Sequence, residues 1–141
     1  MSKKKLSVSG IKNGEVAFDI NQDGFKYTVD ANKESGGGGK GPSPKGLLLS
    51  GLIGCTGIDV VMILKKMKQD YSNFKISAET ELTEEVPKVF TEILMKYEFE
   101  GEDLDEKKVK RAVNLSEEKY CGVSAMLRKN SDIVVEIYIN G

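Results

Sequence analysis

Two cysteines, Cys55 and Cys121, are the residues of this 141-residue sequence whose types are best suited to chemistry. Cys55 lies in the apolar run "SGLIGCTGIDVV" (50–61), and Cys121 opens the run "CGVSAML" (121–127). The sequence contains no histidine, which excludes a Cys–His nucleophile and a Ser–His–Asp triad. From the residues alone, three uses stay open for the thiols: packing in the core, a reactive pair, and metal binding.

Both thiols are predicted to lie at the start of a helix. The backbone dipole at a helix N-terminus favours the charged thiolate, which is the nucleophilic form of cysteine. Core packing competes with this interpretation, because free cysteine is among the most buried residue types. Zinc ordinarily takes four ligands, and one chain offers two thiols together with carboxylates. We therefore expect neither a metal nor a cofactor.

Composition and charge bound the class of protein. The sequence is 39% hydrophobic and 30% charged, with a formal net charge of −1, which is typical of a globular protein and disfavours binding to nucleic acid. The N-terminal "MSKKKLSVSG" lacks the apolar stretch of a secretory signal. The apolar run at 46–64 contains Asp59 and four glycines, so a helix in a globular core is favoured over a membrane span. We expect a cytoplasmic protein without a membrane partner.

The first third of the sequence predicts a three-stranded antiparallel meander. Asn13-Gly14 is typical of a two-residue hairpin turn, and a second turn is predicted at 21–24. Alternation of apolar and polar residues predicts one buried face, formed by Val16, Phe18, Ile20, Phe25, Tyr27 and Val29. A glycine-rich loop at 32–44 follows, and it matches no phosphate-binding pattern.

The remaining sequence predicts two long helices, one short helix and three strands. Ser43 and Pro44 are typical of a helix start, and the first helix is predicted to run to about Met67, with Gly51 and Gly54 able to divide it in two. The later elements are strands at 74–82 and 88–101, an amphipathic helix at 104–120 capped by Asp105, a short helix from Cys121, and a final strand at 132–139.

This order, βββ-α-ββ-α-β, predicts an α+β fold in which antiparallel sheets wrap around central helices within a single domain, 1–141. The first long helix is apolar on all sides, so it needs covering from more than one direction. A homodimer is the expected source of that cover.

Three segments of the sequence resemble the OsmC/Ohr family, which includes the osmotically inducible protein C-like proteins and the organic hydroperoxide resistance proteins. They are "GPSPKGLLLSGLIGCTGIDVVMILKKM" (41–67), "LDEKKVKRAVNLSEEKYC" (104–121) and "SEEKYCGVSAML" (116–127). The resemblance covers roughly residues 40 to 140 and includes both cysteine motifs. It implies an intertwined homodimer with active sites at the subunit interface.

The resemblance also implies a reaction. Cys55 corresponds to the family's peroxidatic cysteine, which attacks the O–O bond of an organic hydroperoxide and becomes a sulfenic acid. Cys121 corresponds to the resolving cysteine, which condenses with it to a disulfide that an external dithiol reduces. Thiol-dependent peroxidase activity in oxidative-stress defence is therefore the leading expectation.

This sequence departs from the family at the groups that activate the thiol. The well-studied peroxidases have a glutamate ten residues before the first cysteine, paired with an N-terminal arginine; here that position is Lys45. The only arginines are Arg111 and Arg128, so the family's arginine–glutamate pair is not carried over. Lys45 and Lys40 are alternative sources of positive charge. A less-characterised OsmC-like branch is indicated, and a non-catalytic ligand-binding or redox-sensing protein stays open as the alternative.

Overall fold

The structure is a computed structural model that describes residues 4–141 and shows the α+β fold expected from the sequence. Residues 1–3 lie outside the described residues. They are part of the N-terminal segment in which no secretory signal is predicted. The strands are β1 Val8–Asn13, β2 Ala17–Gln22, β3 Phe25–Val29, β4 Asn73–Leu82, β5 Phe90–Glu100 and β6 Ile133–Ile139. The α-helices are α1 Pro44–Lys66, α2 Glu106–Leu115 and α3 Gly122–Arg128. The chain divides into two compact units, one ending at Leu48 and the other spanning Leu49–Gly141.

The first unit contains the predicted antiparallel meander, in the order β1-β2-β3. Its second turn has two residues, Asp23 and Gly24, whose φ angles of 53° and 83° suit the tight hairpin turn that matches strand twist. The first turn is different, because β1 and β2 pair Asn13 with Ala17 and leave three residues between them. The two-residue turn predicted at Asn13-Gly14 is therefore wrong.

The apolar face of the meander is not buried in the single chain, contrary to the prediction. Phe18 is 44% exposed, Phe25 is 75% exposed and Tyr27 is 37% exposed. The strands are joined by tight turns and followed by a one-turn 3-10 helix, Lys33–Ser35, so little of this unit's own chain can cover the sheet.

The glycine-rich loop is held to its own unit by one buried carboxylate. Asp30 accepts hydrogen bonds from the backbone N–H groups of Ala31, Gly38 and Lys40, at 2.8 to 3.1 Å. These bonds hold the pKa of Asp30 below its ordinary value, with the Lys40 N–H making the largest contribution. Asp30 therefore anchors the loop as a carboxylate.

The second unit contains the other three-stranded sheet, in the order β4-β5-β6. β4 pairs with β5 antiparallel, as expected, but β6 pairs with β5 parallel. The prediction of wholly antiparallel sheets is therefore wrong at this strand. A parallel neighbour requires a crossover connection, and the chain makes it through α2 and α3. Alternation of apolar residues gives the strand but not its direction.

α1 runs without a break through Gly51 and Gly54, so the predicted division of this helix does not occur. Its buried residues, Leu52, Thr56, Val60 and Leu64, recur every four positions and define one face. Leu52, Val60 and Leu64 share a core cluster with Ile93, Met95, Tyr97 and Phe99 of β5 and with Val109, Ala112 and Val113 of α2. By length and composition alone α1 could also cross a membrane. This is weak evidence for a membrane span, because a helix with one face in a protein core passes the same test.

Candidate functional site

Cys55 lies in the middle of α1, one turn before Asp59. The prediction that Cys55 opens a helix is wrong, because the helix begins at Pro44 and continues through both glycines. The favourable dipole effect is confined to the first turn of a helix, so it does not act on this thiol. Cys55 is half-buried, whereas its neighbour Thr56 is fully buried and donates its hydroxyl to the Leu52 carbonyl at 2.9 Å.

Cys121 lies where α2 has ended and α3 begins, as the sequence predicts. A π-helical turn, Ser116–Tyr120, precedes it, and the Cys121 N–H donates to the Ser116 carbonyl at 2.8 Å. Cys121 is the N-cap residue of α3, and its Sγ accepts a hydrogen bond from the Ser124 N–H at 3.3 Å. The thiol is buried, with 4% of the residue exposed.

The two thiols converge with one carboxylate. Cys55 Sγ, Cys121 Sγ and a side-chain oxygen of Asp59 all lie within 4.8 Å of one another. The Ser116 hydroxyl donates to Asp59 Oδ2 at 3.1 Å and so orients this carboxylate. The i, i+4 spacing of Cys55 and Asp59 on a helix is the sequence feature that could have identified Asp59. The structure thus brings both predicted cysteines into one site and adds Asp59.

The surroundings of Cys121 favour its protonated form. Burial raises the pKa of the Cys121 thiol, and the hydrogen bond to Cys55 raises it further. The N–H and hydroxyl of Ser124 act in the opposite direction and do not outweigh burial. Burial and the neighbouring Cys55 thiol therefore both favour the neutral form of Cys121.

A buried polar network adjoins the thiols. The Glu117 carboxylate accepts from the Tyr97 hydroxyl, from the Ser124 hydroxyl at 3.1 Å and from Arg128 Nη2 at 3.0 Å. Burial, and then the Glu117 charge, raise the pKa of the Tyr97 phenol far above its ordinary value, so Tyr97 remains a hydrogen-bond donor. No pattern in the sequence singles out these residues, apart from the position of Arg128 two helical turns after Cys121.

Lys40 and Lys45, the two lysines considered as sources of positive charge, both belong to the first unit. Lys40 donates to Asn13 Oδ1 at 3.1 Å within the first unit, and Lys45 is exposed in the first turn of α1. That either lysine supplies positive charge near Cys55 stays a prediction.

An open apolar groove of about 410 Å³ lies between α1 and β4. Its floor combines α1 with β4, through Gly57 and Ile76; a Cβ at Gly57 would stand 3.2 Å from Ile76 Cδ1. Ile58 and Met62 line the groove and are 64% and 57% exposed. The groove is an apolar surface of the kind that binds alkyl chains or another protein.

Comparison with known proteins identifies the family to which this α+β chain belongs. Residues 37–136 match the family model described as "OsmC-like protein", so the chain belongs to the OsmC-like family. Protein YhfA of Escherichia coli K12 is 41% identical over 110 residues, which are 78% of this chain and 79% of YhfA.

Solved structures share the whole fold. A crystal structure of a protein from Aquifex aeolicus is 31% identical, covers 99% of this chain and 100% of its own, and has a TM-score of 0.85. The organic hydroperoxide resistance protein OhrB of Bacillus subtilis is 20% identical, with a TM-score of 0.67, and covers 95% of this chain and 98% of its own. At that identity the likeness to OhrB shows the fold alone.

Proposed function

We propose that this protein reduces organic hydroperoxides through Cys55 and Cys121. The Cys55 thiolate attacks the terminal oxygen of ROOH, the O–O bond breaks, and the leaving alkoxide takes a proton to become the alcohol ROH. Cys55 is thereby oxidised to a sulfenic acid. The Cys121 sulfur then displaces water from that sulfenic acid and forms a disulfide, and an external dithiol reduces the disulfide while being oxidised itself.

The convergence of the two sulfurs carries this proposal. Both Sγ atoms lie within 4.8 Å of each other, although the two cysteines are 66 residues apart in the sequence. Such proximity allows a disulfide to form after small side-chain movements. Core packing alone does not require that two thiols meet, so the meeting favours a reactive pair over two unrelated buried cysteines.

The exposure of the two thiols supports their separate roles. Cys55 is half-buried, so a hydroperoxide can reach its sulfur from solvent. Cys121 is 4% exposed, so it meets a sulfenic acid on Cys55 more readily than it meets a substrate from solvent. Cys55 is therefore the peroxidatic residue of the proposal, and Cys121 is the resolving residue.

The proposal includes a homodimer. Ile58, Val61 and Met62 are between 41% and 64% exposed on the face of α1 opposite its buried stripe. A second copy packed over this face would enclose the groove between α1 and β4 and remove these side chains from water. The family match at residues 37–136 spans the boundary between the two compact units, which supports a single functional domain. The thiol pair suits a reducing compartment such as the cytoplasm.

The names of two structural neighbours also support the proposal. OhrB of Bacillus subtilis and a Legionella pneumophila protein of the same fold are both described as organic hydroperoxide resistance proteins. Their overall fold, which this chain shares at TM-scores of 0.67 and 0.71, is therefore compatible with that role.

Peroxide consumption by reduced protein tests the proposal. One equivalent of an alkyl hydroperoxide should be consumed per chain by the native protein, with loss of both thiols. Cys121→Ser should consume the same single equivalent and leave a sulfenic acid that dimedone traps. Cys55→Ser should consume peroxide no faster than free cysteine does; a rate equal to the native one overturns the proposal.

The position of Cys55 favours one second candidate, binding of a small apolar ligand without catalysis. In mid-helix Cys55 lacks the dipole of a helix N-terminus, which commonly activates such thiols. Under this alternative, the native protein and Cys55→Ser bind an alkyl ligand equally and neither consumes hydroperoxide.

A further inference from the structure

We infer that the reduced chain holds one thiophilic divalent cation, Zn²⁺ in particular, between Cys55, Asp59 and Cys121. The inference concerns the same residues as the proposed function but needs only the reduced thiols, so it stands or falls independently of peroxidase activity. It departs from the expectation of no metal, because the structure adds a third ligand that the sequence did not single out.

The distances fit a tetrahedral site. Zinc binds thiolate sulfur at ~2.3 Å and carboxylate oxygen at roughly 2.0–2.2 Å, so neighbouring tetrahedral ligands lie about 3.5–3.8 Å apart. The three ligand atoms already lie within 4.8 Å of one another. A movement of about 1 Å in side chains that share one helical turn or face it therefore closes the site around the ion.

The donor set selects the kind of cation. Two sulfurs and one carboxylate oxygen suit Zn²⁺ and other thiophilic ions, whereas Mg²⁺ and Ca²⁺ require mostly oxygen ligands. Two thiolates and one carboxylate carry three negative charges, so they attract a divalent cation strongly at close range. Three protein ligands leave the fourth position open for water or a small thiol.

The groups around the three ligands already have the arrangement of a supporting shell. The Ser116 hydroxyl donates to Asp59 Oδ2 at 3.1 Å, and the Ser124 N–H donates to Cys121 Sγ at 3.3 Å. Hydrogen bonds of this kind orient metal ligands and raise affinity about 10–100-fold. Because Cys55 is half-buried, the ion has a path from solvent.

Binding would couple the metal to the redox state of the pair. Entry of Zn²⁺ displaces two thiol protons, and each sulfur then shares a lone pair with the metal. A zinc-bound pair is thus held in its reduced form, whereas a disulfide between Cys55 and Cys121 offers no thiolate and releases the ion. The cation and the hydroperoxide would compete for the same sulfur atoms.

The test titrates Co²⁺ and Zn²⁺ into metal-free, fully reduced protein under anaerobic conditions, without any peroxide. We expect one ion per chain, a thiolate-to-cobalt charge-transfer band, and release of two protons per Zn²⁺ in weakly buffered solution. Competition with a chromophoric chelator measures the Zn²⁺ affinity. Absence of the band, or one ion shared by two chains, overturns the inference.

Variants assign the ligands. Cys55→Ser and Cys121→Ser should each lower Zn²⁺ affinity by roughly 100-fold or more, and Asp59→Asn by at least about 10-fold, as loss of a ligand or its support does. Asp103→Asn, an exposed carboxylate outside the site, should bind as the native protein does. Far-ultraviolet circular dichroism and thiol counts establish that each variant is folded and reduced. An Asp59→Asn protein with native affinity contradicts the three-ligand site.

Discussion

Arg128 Nη2 lies 3.0 Å from Glu117 Oε2, which joins a guanidinium that is 39% exposed to a carboxylate that is 3% exposed. The same carboxylate accepts hydrogen bonds from Tyr97 and Ser124, the residue whose N–H contacts Cys121 Sγ. Through Ser124, the Arg128–Glu117 pair therefore supports the segment that contains the second thiol.

Removal of the guanidinium should destabilise the protein by leaving Glu117 buried without its cation. Arg128→Met is expected to lower the free energy of unfolding by about 1–3 kcal/mol, less than for a fully buried pair because water already reaches the arginine. Urea denaturation measures the change. Arg111→Met on the exposed face of α2 is the matched control, with an effect within about 0.5 kcal/mol. Equal effects of the two substitutions would contradict a structural role for the ion pair.

Loss of the buried Tyr97 hydroxyl should also destabilise the protein. Tyr97→Phe removes the hydroxyl that donates to Glu117 and should lower the free energy of unfolding by about 2 kcal/mol. Tyr138 donates to Glu136 at 2.8 Å on the surface, so Tyr138→Phe is a chemically identical control with an expected change of less than about 0.5 kcal/mol. If both variants unfold at the same urea concentration, burial does not strengthen the Tyr97 bond.

Oxidation of the pair should stabilise the chain. A disulfide between Cys55 and Cys121 closes a loop of 66 residues, for which loop-closure entropy corresponds to about 4 kcal/mol of added stability. The melting temperature after one equivalent of hydroperoxide should therefore rise and return to its starting value on addition of dithiothreitol. Cys121→Ser treated in the same way provides the baseline. A melting temperature that falls on oxidation would show that the disulfide strains the fold.

A charge on the exposed face of α1 should prevent dimer formation. Ile58→Glu puts a carboxylate into the apolar surface that the second copy is proposed to cover, and burial of an unpaired charge is strongly unfavourable. Light scattering after gel filtration should give the monomer mass of 15.5 kDa for Ile58→Glu and twice that mass for Ile58→Leu. Dimers of both variants would place the interface elsewhere.

Acid should weaken the anchoring of the glycine-rich loop. The folded-state pKa of Asp30 is lowered by backbone N–H donors, so its contribution is present above the unfolded pKa of ~3.9 and is lost as pH falls through the lower folded value. Native protein should thus lose more stability than Asp30→Asn when pH falls below about 5. Urea midpoints across this range measure the difference, with Asp103→Asn as the control that keeps the native acid dependence. Parallel curves for all three proteins would exclude this role of Asp30.

Local chemistry explains most of the fold that the sequence predicts. Asp105 caps α2 by accepting from the Lys107 and Lys108 N–H groups, as its position before an amphipathic segment indicates. The apolar stripe of α2, with Val109 and Val113, is buried as its spacing predicts. These features depend on neighbours within one or two turns, so one segment of sequence contains all the information.

Features that depend on distant partners were not predicted. The sequence gives no direction for β6, because its pairing with β5 is fixed by the crossover and not by its own residues. The glycines before Cys55 disfavour a helix locally, by about 1 kcal/mol each, but the packing of Leu52 and Val60 on the sheet outweighs that preference. The proximity of the two thiols was implied only by family resemblance, and the role of Asp59 required the folded chain.

The π-helical turn before Cys121 determines the direction in which this thiol leaves the helix. The Cys121 N–H reaches back five residues to the Ser116 carbonyl, which accommodates one residue more than an α-helical turn does. A single-codon deletion within 116–120 would rotate the second cysteine by about 100° around the helix axis, because 3.6 residues complete a turn. The thiol would then be directed away from Cys55 although no side chain had been replaced. The length of this turn, and not only the identity of its residues, therefore determines whether the two thiols can meet.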